Sequence, residues 1–233
     1  MVQLLAGTSG YSYKEWLGNF YPKGTKNGEM LHQYAQQLPS VEINNTFYRM
    51  PRGSVVDQWS NQTPETFRFA IKASRRITHS KKLQNAQEEV SYLFGVLERL
   101  EHRLGVVLFQ LPPFFQKDVE VLKRFLAILP SDFSVAFEFR HRSWWDDNVR
   151  ECLASHGAAL CVTDKDEVRA EDLHSTVDWG YLRLRRTSYS DTDLRHWMKL
   201  IQGAKWKTAF VFFKHEADGA GPSFAQRLLE LST

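Results

Sequence analysis

The residues of this chain best suited to chemistry gather in Ser134–Trp145, SVAFEFRHRSWW. In an extended strand Val135, Phe137 and Phe139 face one way, and Ala136, Glu138 and Arg140 the other. Burying a carboxylate and a guanidinium together is unfavourable by several kcal/mol per ion unless the two are paired. His141 follows at the C-terminal end of the strand, then Trp144, Trp145 and Asp146, a candidate helix cap. A carboxylate beside cations and an imidazole at such a place points to general acid/base catalysis. Glu138 is the candidate acid/base, with His141 or Asp164 as proton partner; a structural ion pair roofed by aromatics is the competing reading.

Short apolar runs alternate with helical stretches along the chain. The strand-like runs are 3–8, 40–44, 67–72, 105–111, 134–140, 158–162, 181–185 and 209–213. Helical spacing recurs at 30–38, 54–61, 86–100, 119–129, 149–153, 194–201 and 224–229. Gly157 is a candidate helix stop, and Asp191 or Asp193 a candidate cap. Eight strands, nearly all followed by helices at about 29 residues per unit, predict an α/β fold of the TIM type. The reading is a single-domain (β/α)8 barrel over residues 1–233. An open doubly wound sheet would call for a glycine-rich phosphate turn after the first strand, which Gly7-Thr8-Ser9-Gly10 is not.

In such a barrel the polar strand faces point inward, and active sites lie at the C-terminal strand ends. Alternation sends Glu42, Asn44, Lys72, Gln110, Glu138, Arg140, Arg183 and Lys214 there, with strands four and eight ambiguous because both faces are apolar. Lys72, Arg75, Arg140 and Arg183 are candidates to hold a small anionic ligand, and Gln110 and Asn44 to orient it. Lys72 also joins Glu138, His141 and Asp164 as a candidate catalytic group. Tyr11, Tyr48, Arg49, His79, Trp144 and Lys214 complete the candidate binding set. The last two units carry Arg183, Arg185, Arg186, Lys214 and His215, then Gly219-Ala220-Gly221-Pro222-Ser223 before a helix, a pattern suited to phosphate.

A formal charge of +3 on 233 residues, with 42% hydrophobic and 24% charged residues, is that of an ordinary soluble protein. No apolar run is long enough for a membrane span, and no signal peptide precedes Gln3. Cys152 and Cys161 read as small buried hydrophobes, which suits a cytoplasmic setting. No cofactor is predicted. A divalent metal is possible through His79, His141 and His215 with Glu138 and Asp164, although no close-spaced motif such as H-E-x-x-H occurs. Ser9 and Ser143 lie outside any G-x-S-x-G turn. The basic segment 75–82 beside Tyr11, Tyr13, Trp16, Tyr48 and the tryptophans gives an alternative class, a nucleic-acid binder or metal-dependent phosphoesterase. Nothing in the sequence sets an oligomeric state.

Several motifs together resemble the YecE-like family, domain of unknown function 72. They are Gly7–Tyr13 (GTSGYSY), Val41–Arg49 (VEINNTFYR), Phe69–Ala73 (FAIKA), Ile77-Thr78-His79, Leu108–Pro113 (LFQLPP) and Phe137–Trp144 (FEFRHRSW). The resemblance spans most of the chain and implies a TIM-type barrel and a cytoplasmic protein. It implies no particular reaction, so no catalytic residue is carried over from it. Lys214-His215-Glu216-Ala217-Asp218 departs from the Asn-rich sequence that relatives tend to have after strand eight.

Overall fold

Eight parallel strands close on themselves in this computed structural model, which describes residues 2–164, 173, 175–214 and 219–232. They are β1 (Gln3–Ser9), β2 (Ser40–Ile43), β3 (Arg68–Lys72), β4 (Leu104–Gln110), β5 (Val135–Glu138), β6 (Ala159–Thr163), β7 (Trp179–Leu184) and β8 (Thr208–Phe213). Each pairs with its neighbour in chain order, and β8 returns to β1 from Gln3↔Thr208 to Thr8↔Phe213. The α-helices among the described residues are α1 (Met30–Ala35), α2 (Gly53–Asn61), α3 (Gln87–Leu97), α4 (Val119–Leu126), α5 (Asp147–Ser155), α6 (Asp191–Gly203) and α7 (Ala220–Glu230). This is the (β/α)8 barrel that the alternation predicts. The connection from β6 to β7 falls mostly outside the described residues.

Period-two alternation decides what each strand face meets. Val41, Ile43, Phe69, Ile71, Phe137 and Leu182 join the apolar stripes of the helices in one outer layer. The opposite faces fill the barrel, where Ala70, Ala136, Ala159 and Cys161 leave room for Tyr181, Phe210 and Phe212. The rings of Tyr181 and Phe212 lie 5.4 Å apart. The two ambiguous strands resolve with Val106 and Leu108 inward on β4, and Phe210 and Phe212 inward on β8. Gly7 sits where β1 crowds β2: a Cβ there would come within 1.9 Å of the Ser40 carbonyl oxygen. Only glycine fits at so close an approach.

Several element ends differ from the sequence reading, each for a local reason. The helical pattern through Leu100 stops at Leu97, because Glu101 takes φ 50 inside a 3-10 turn that swings the chain into β4. α6 is capped by Ser190, not by Asp191 or Asp193. The Ser190 hydroxyl accepts the Asp193 N–H while the Asp193 carboxylate accepts the Ser190 N–H, a capping box. α7 begins at Ala220, so Gly221 and Pro222 lie in its first turn and only Gly219, at φ 73, precedes it. β5 ends at Glu138, two residues before Arg140. Asp146 caps α5, and Gly157 follows that helix at φ 65, both as the sequence predicts.

Candidate active site at the barrel mouth

Strand ends that are far apart in sequence meet in one buried ion network. Register places Ser9 beside Glu42 and Gln110 beside Glu138 at the C-terminal ends of neighbouring strands. Arg183 of β7 bridges the two carboxylates: Nη2 donates to Glu42 Oε1 at 2.7 Å, and Nη1 donates to Glu138 Oε2 at 2.6 Å. Ser9 Oγ at 2.8 Å and Asn44 Nδ2 at 2.9 Å also donate to Glu42 Oε1. Tyr181 OH donates to Glu42 Oε2 at 2.7 Å, and Gln110 Nε2 donates to Glu138 Oε1 at 2.7 Å. Glu42, Glu138 and Arg183 are each no more than 1% exposed.

Burial alone would push both carboxyl groups up. The Arg183 charge and the converging hydrogen bonds overcome it, holding Glu42 at about 2 and Glu138 below its ordinary range. Glu138 therefore has both oxygens engaged and stays ionised. The geometry gives it the place of a counter-ion rather than of a proton carrier.

Lys72 differs from its neighbours. It ends β3 on the interior face and is 9% exposed. Its Nζ lies 4.2 Å from the centroid of the Phe47 ring, with no hydrogen bond or ion pair to any described residue. Burial, then the Arg183 charge, bring this amine down to about 8 against the pull of Glu42 and Glu138. The Phe47 ring also meets the His79 ring edge-on, with centroids 4.9 Å apart. His79 lies on a π-helical turn, Arg76–Ser80, with Nδ1 2.9 Å from Thr78 Oγ1. Burial and the charges of Lys72, Arg140 and Arg75 lower its pKa, so the ring is neutral at pH 7. Lys82, Leu83 and Asn85 follow at φ 47, 67 and 49. A π turn and left-handed non-glycine residues are strained features of the kind that collect at functional sites.

The candidate residues thus separate. Lys72, Asn44, Gln110, Glu138 and Arg183 come together inside the mouth. Arg75 and Arg140 are exposed at its rim, close enough to act on His79; Arg140 is not carried inward because β5 has already ended. Tyr11 and Asn44 line an adjoining cavity of about 190 Å³. Tyr48 and Arg49 instead line a neighbouring groove of about 560 Å³ with Arg52, Arg76 and Tyr92, which Arg75 borders as well.

Four candidates have structural duties. Trp144 is 1% exposed, stacked on Phe139 at 4.6 Å, with Nε1 donating to Phe115 O, which leaves no ring face for a ligand. His141 Nδ1 accepts the Ser143 N–H at 3.2 Å and caps the turn Arg142–Trp144. Asp164 accepts the Arg185 N–H and the Tyr189 hydroxyl, each at 2.6 Å, and so ties the chain after β7 to the end of β6. Lys214 is exposed just beyond β8, and its backbone N–H bonds to Leu184 O at 3.1 Å.

Sequence reasoning gave no role to Ser9, Glu42, Phe47 or Tyr181. Alternation already sends Glu42 inward with Glu138 and Arg183, without a role, and the same parity reaches Tyr181. Ser9 and Phe47 carry no periodic signal, since a strand end and the 3-10 turn Asn45–Phe47 position them. Among the described residues no three His, Cys, Asp or Glu side chains gather closely enough to hold a metal ion; His215 lies outside them. No helix of the described residues is long and apolar enough to cross a membrane.

The chain resembles UPF0759 protein YunF of Bacillus subtilis at 26% identity, over 91% of this chain and 90% of that protein. UPF0759 protein YecE of Escherichia coli is 30% identical over 66% of this chain and 60% of its own length. A crystal structure of a DUF72 family protein from Thermotoga maritima superposes with a TM-score of 0.86 at 26% identity, covering 98% of each chain. The model of the protein family of unknown function DUF72 matches residues 5–233, and this chain belongs to that family.

Proposed function

We propose that this protein is a cytoplasmic enzyme acting on a small carboxylate or phosphate compound at the C-terminal mouth of its barrel. Lys72 gives and takes the proton, while Glu42, Arg183 and Glu138 fix the charge beneath it. The observation that carries the reading is an amine without a hydrogen-bond partner among the described residues, above a floor in which both carboxylates are paired. An amine brought down to about 8 is matched to proton transfer near neutral pH. Arg183, Arg185 and protonated Lys72 set three positive charges against the two of Glu42 and Glu138, and Arg75 and Arg140 add to the excess at the rim. Such a surplus favours an anionic ligand. The free, buried Cys152 and Cys161 accord with a reducing compartment.

A panel of small carboxylates and phosphates, screened by thermal shift and then by NMR for turnover, tests the reading. A hit is expected to stabilise the wild type and to be turned over at least about a hundredfold more slowly by Lys72→Met. Equal turnover by the two proteins, or no stabilisation by any anion, would count against it.

A second reading rests on the groove beside Tyr48, Arg49, Arg52, Arg75 and Tyr92, whose tyrosines are 75% and 49% exposed. Exposed rings among arginines suit single-stranded nucleic acid. Fluorescence anisotropy with a short RNA should then show binding that weakens steeply with salt and is lost in a Tyr48→Ala, Tyr92→Ala double variant.

A further inference from the structure

We infer that Lys72 is a nucleophile that condenses with the carbonyl carbon of a small 2-oxo acid or acidic aldehyde to form an imine. The inference rests on the anion-binding reading above and specifies the substrate class for the same site. Three observations carry it. Lys72 Nζ is enclosed yet has neither a hydrogen bond nor an ion pair to any described residue, so its lone pair is not committed elsewhere once the proton leaves. It stands over an aromatic face, in the field of Arg183 and Arg185, and an amine beside apolar groups and other cations is how imine-forming lysines are activated. His79 meets the same Phe47 ring edge-on, with centroids 4.9 Å apart, and its Nδ1 lies 2.9 Å from Thr78 Oγ1.

The chemistry balances without an oxidant or reductant. The Nζ lone pair attacks the carbonyl carbon, and the C=O pair moves to oxygen, which is protonated to give a carbinolamine. Nitrogen gives up its second proton, the hydroxyl leaves with a proton as water, and the C=N bond forms. Neutral His79 takes the proton that nitrogen gives up and returns it to the departing hydroxyl. The carboxylate of the oxo acid meets the positive surplus of the mouth. At pH 7.5 roughly a quarter of an amine with a pKa of about 8 is neutral, against about 0.1% of an ordinary lysine.

The full chain is incubated with sodium glyoxylate and sodium cyanoborohydride at pH 7.5, and the reduced adduct is located by peptide mass mapping. The expected result is a dominant adduct on Lys72, formed more than about tenfold faster than on any surface lysine and abolished in Lys72→Arg. Mapping of the wild type is decisive by itself should that variant fold poorly. Adducts spread evenly over surface lysines, or a Lys72 that stays unlabelled, would overturn the inference. Thermal shift with sodium glycolate, which has the same charge and no carbonyl, separates the two readings. Stabilisation by glycolate without an adduct rejects the imine and keeps the anion site; neither stabilisation nor adduct rejects both.

Discussion

An amine at residue 72 and a guanidinium at residue 183 share one low-dielectric pocket, and their fates differ because, among the described residues, only the second has hydrogen-bond partners. The amine has a folded pKa of about 8 and an ordinary one of 10.5, so its protonated form is penalised in the native state. The penalty is on the order of 3 kcal/mol, is complete below pH 8 and is relieved as pH rises toward 10.5. Lys72→Met should therefore unfold at higher urea than the wild type at pH 7, with the gap closing by pH 10. A gap that stays constant across that range would show that the amine titrates normally. Glu42 has the opposite sign: its contribution is present above its ordinary 4.5 and is lost as pH falls through about 2. Arg183→Met strands both carboxylates, and breaking a buried pair in this way costs about 3–5 kcal/mol. That loss should shrink as the pH is lowered toward 5, since burial favours the neutral carboxyl. Urea titrations at pH 5 and pH 8 check the direction.

At the scale of elements, alternation within single strands was legible and the strand ends were not. The inward placement of Lys72, Glu138 and Arg183 follows from a period of two. Arg140 and Lys214 have the same parity, yet each lies past the last residue that pairs in the sheet, where the period no longer applies. Where a strand stops depends on hydrogen bonding to its neighbours, which no single segment encodes. The cap of α6 was hidden for a related reason: Asp191 and Asp193 are acceptable caps themselves, and geometry alone selects Ser190. Ser190→Ala should lower stability by about 1 kcal/mol, as read from the urea midpoint. Asp191→Ala, outside the cap but paired with Arg227 on the surface, should cost less.

For the whole molecule, the count of alternating units was enough to predict closure, since eight strands nearly all followed by helices have few other ways to cover both faces of a parallel sheet. The pairing inside the barrel was beyond reach. Glu42 and Arg183 are separated by 141 positions and Glu138 and Arg183 by 45, and no spacing rule joins them. They meet only because the ring is complete.

That long-range junction has a kinetic consequence. A clasp joining β2, β5 and β7 can engage only after most of the chain has been wound, so its stabilisation is absent from the folding transition state. Glu42→Gln should leave the refolding rate in a guanidinium chevron nearly unchanged and accelerate unfolding. The paired carboxylates then act as a latch on the native lifetime, set last and released first.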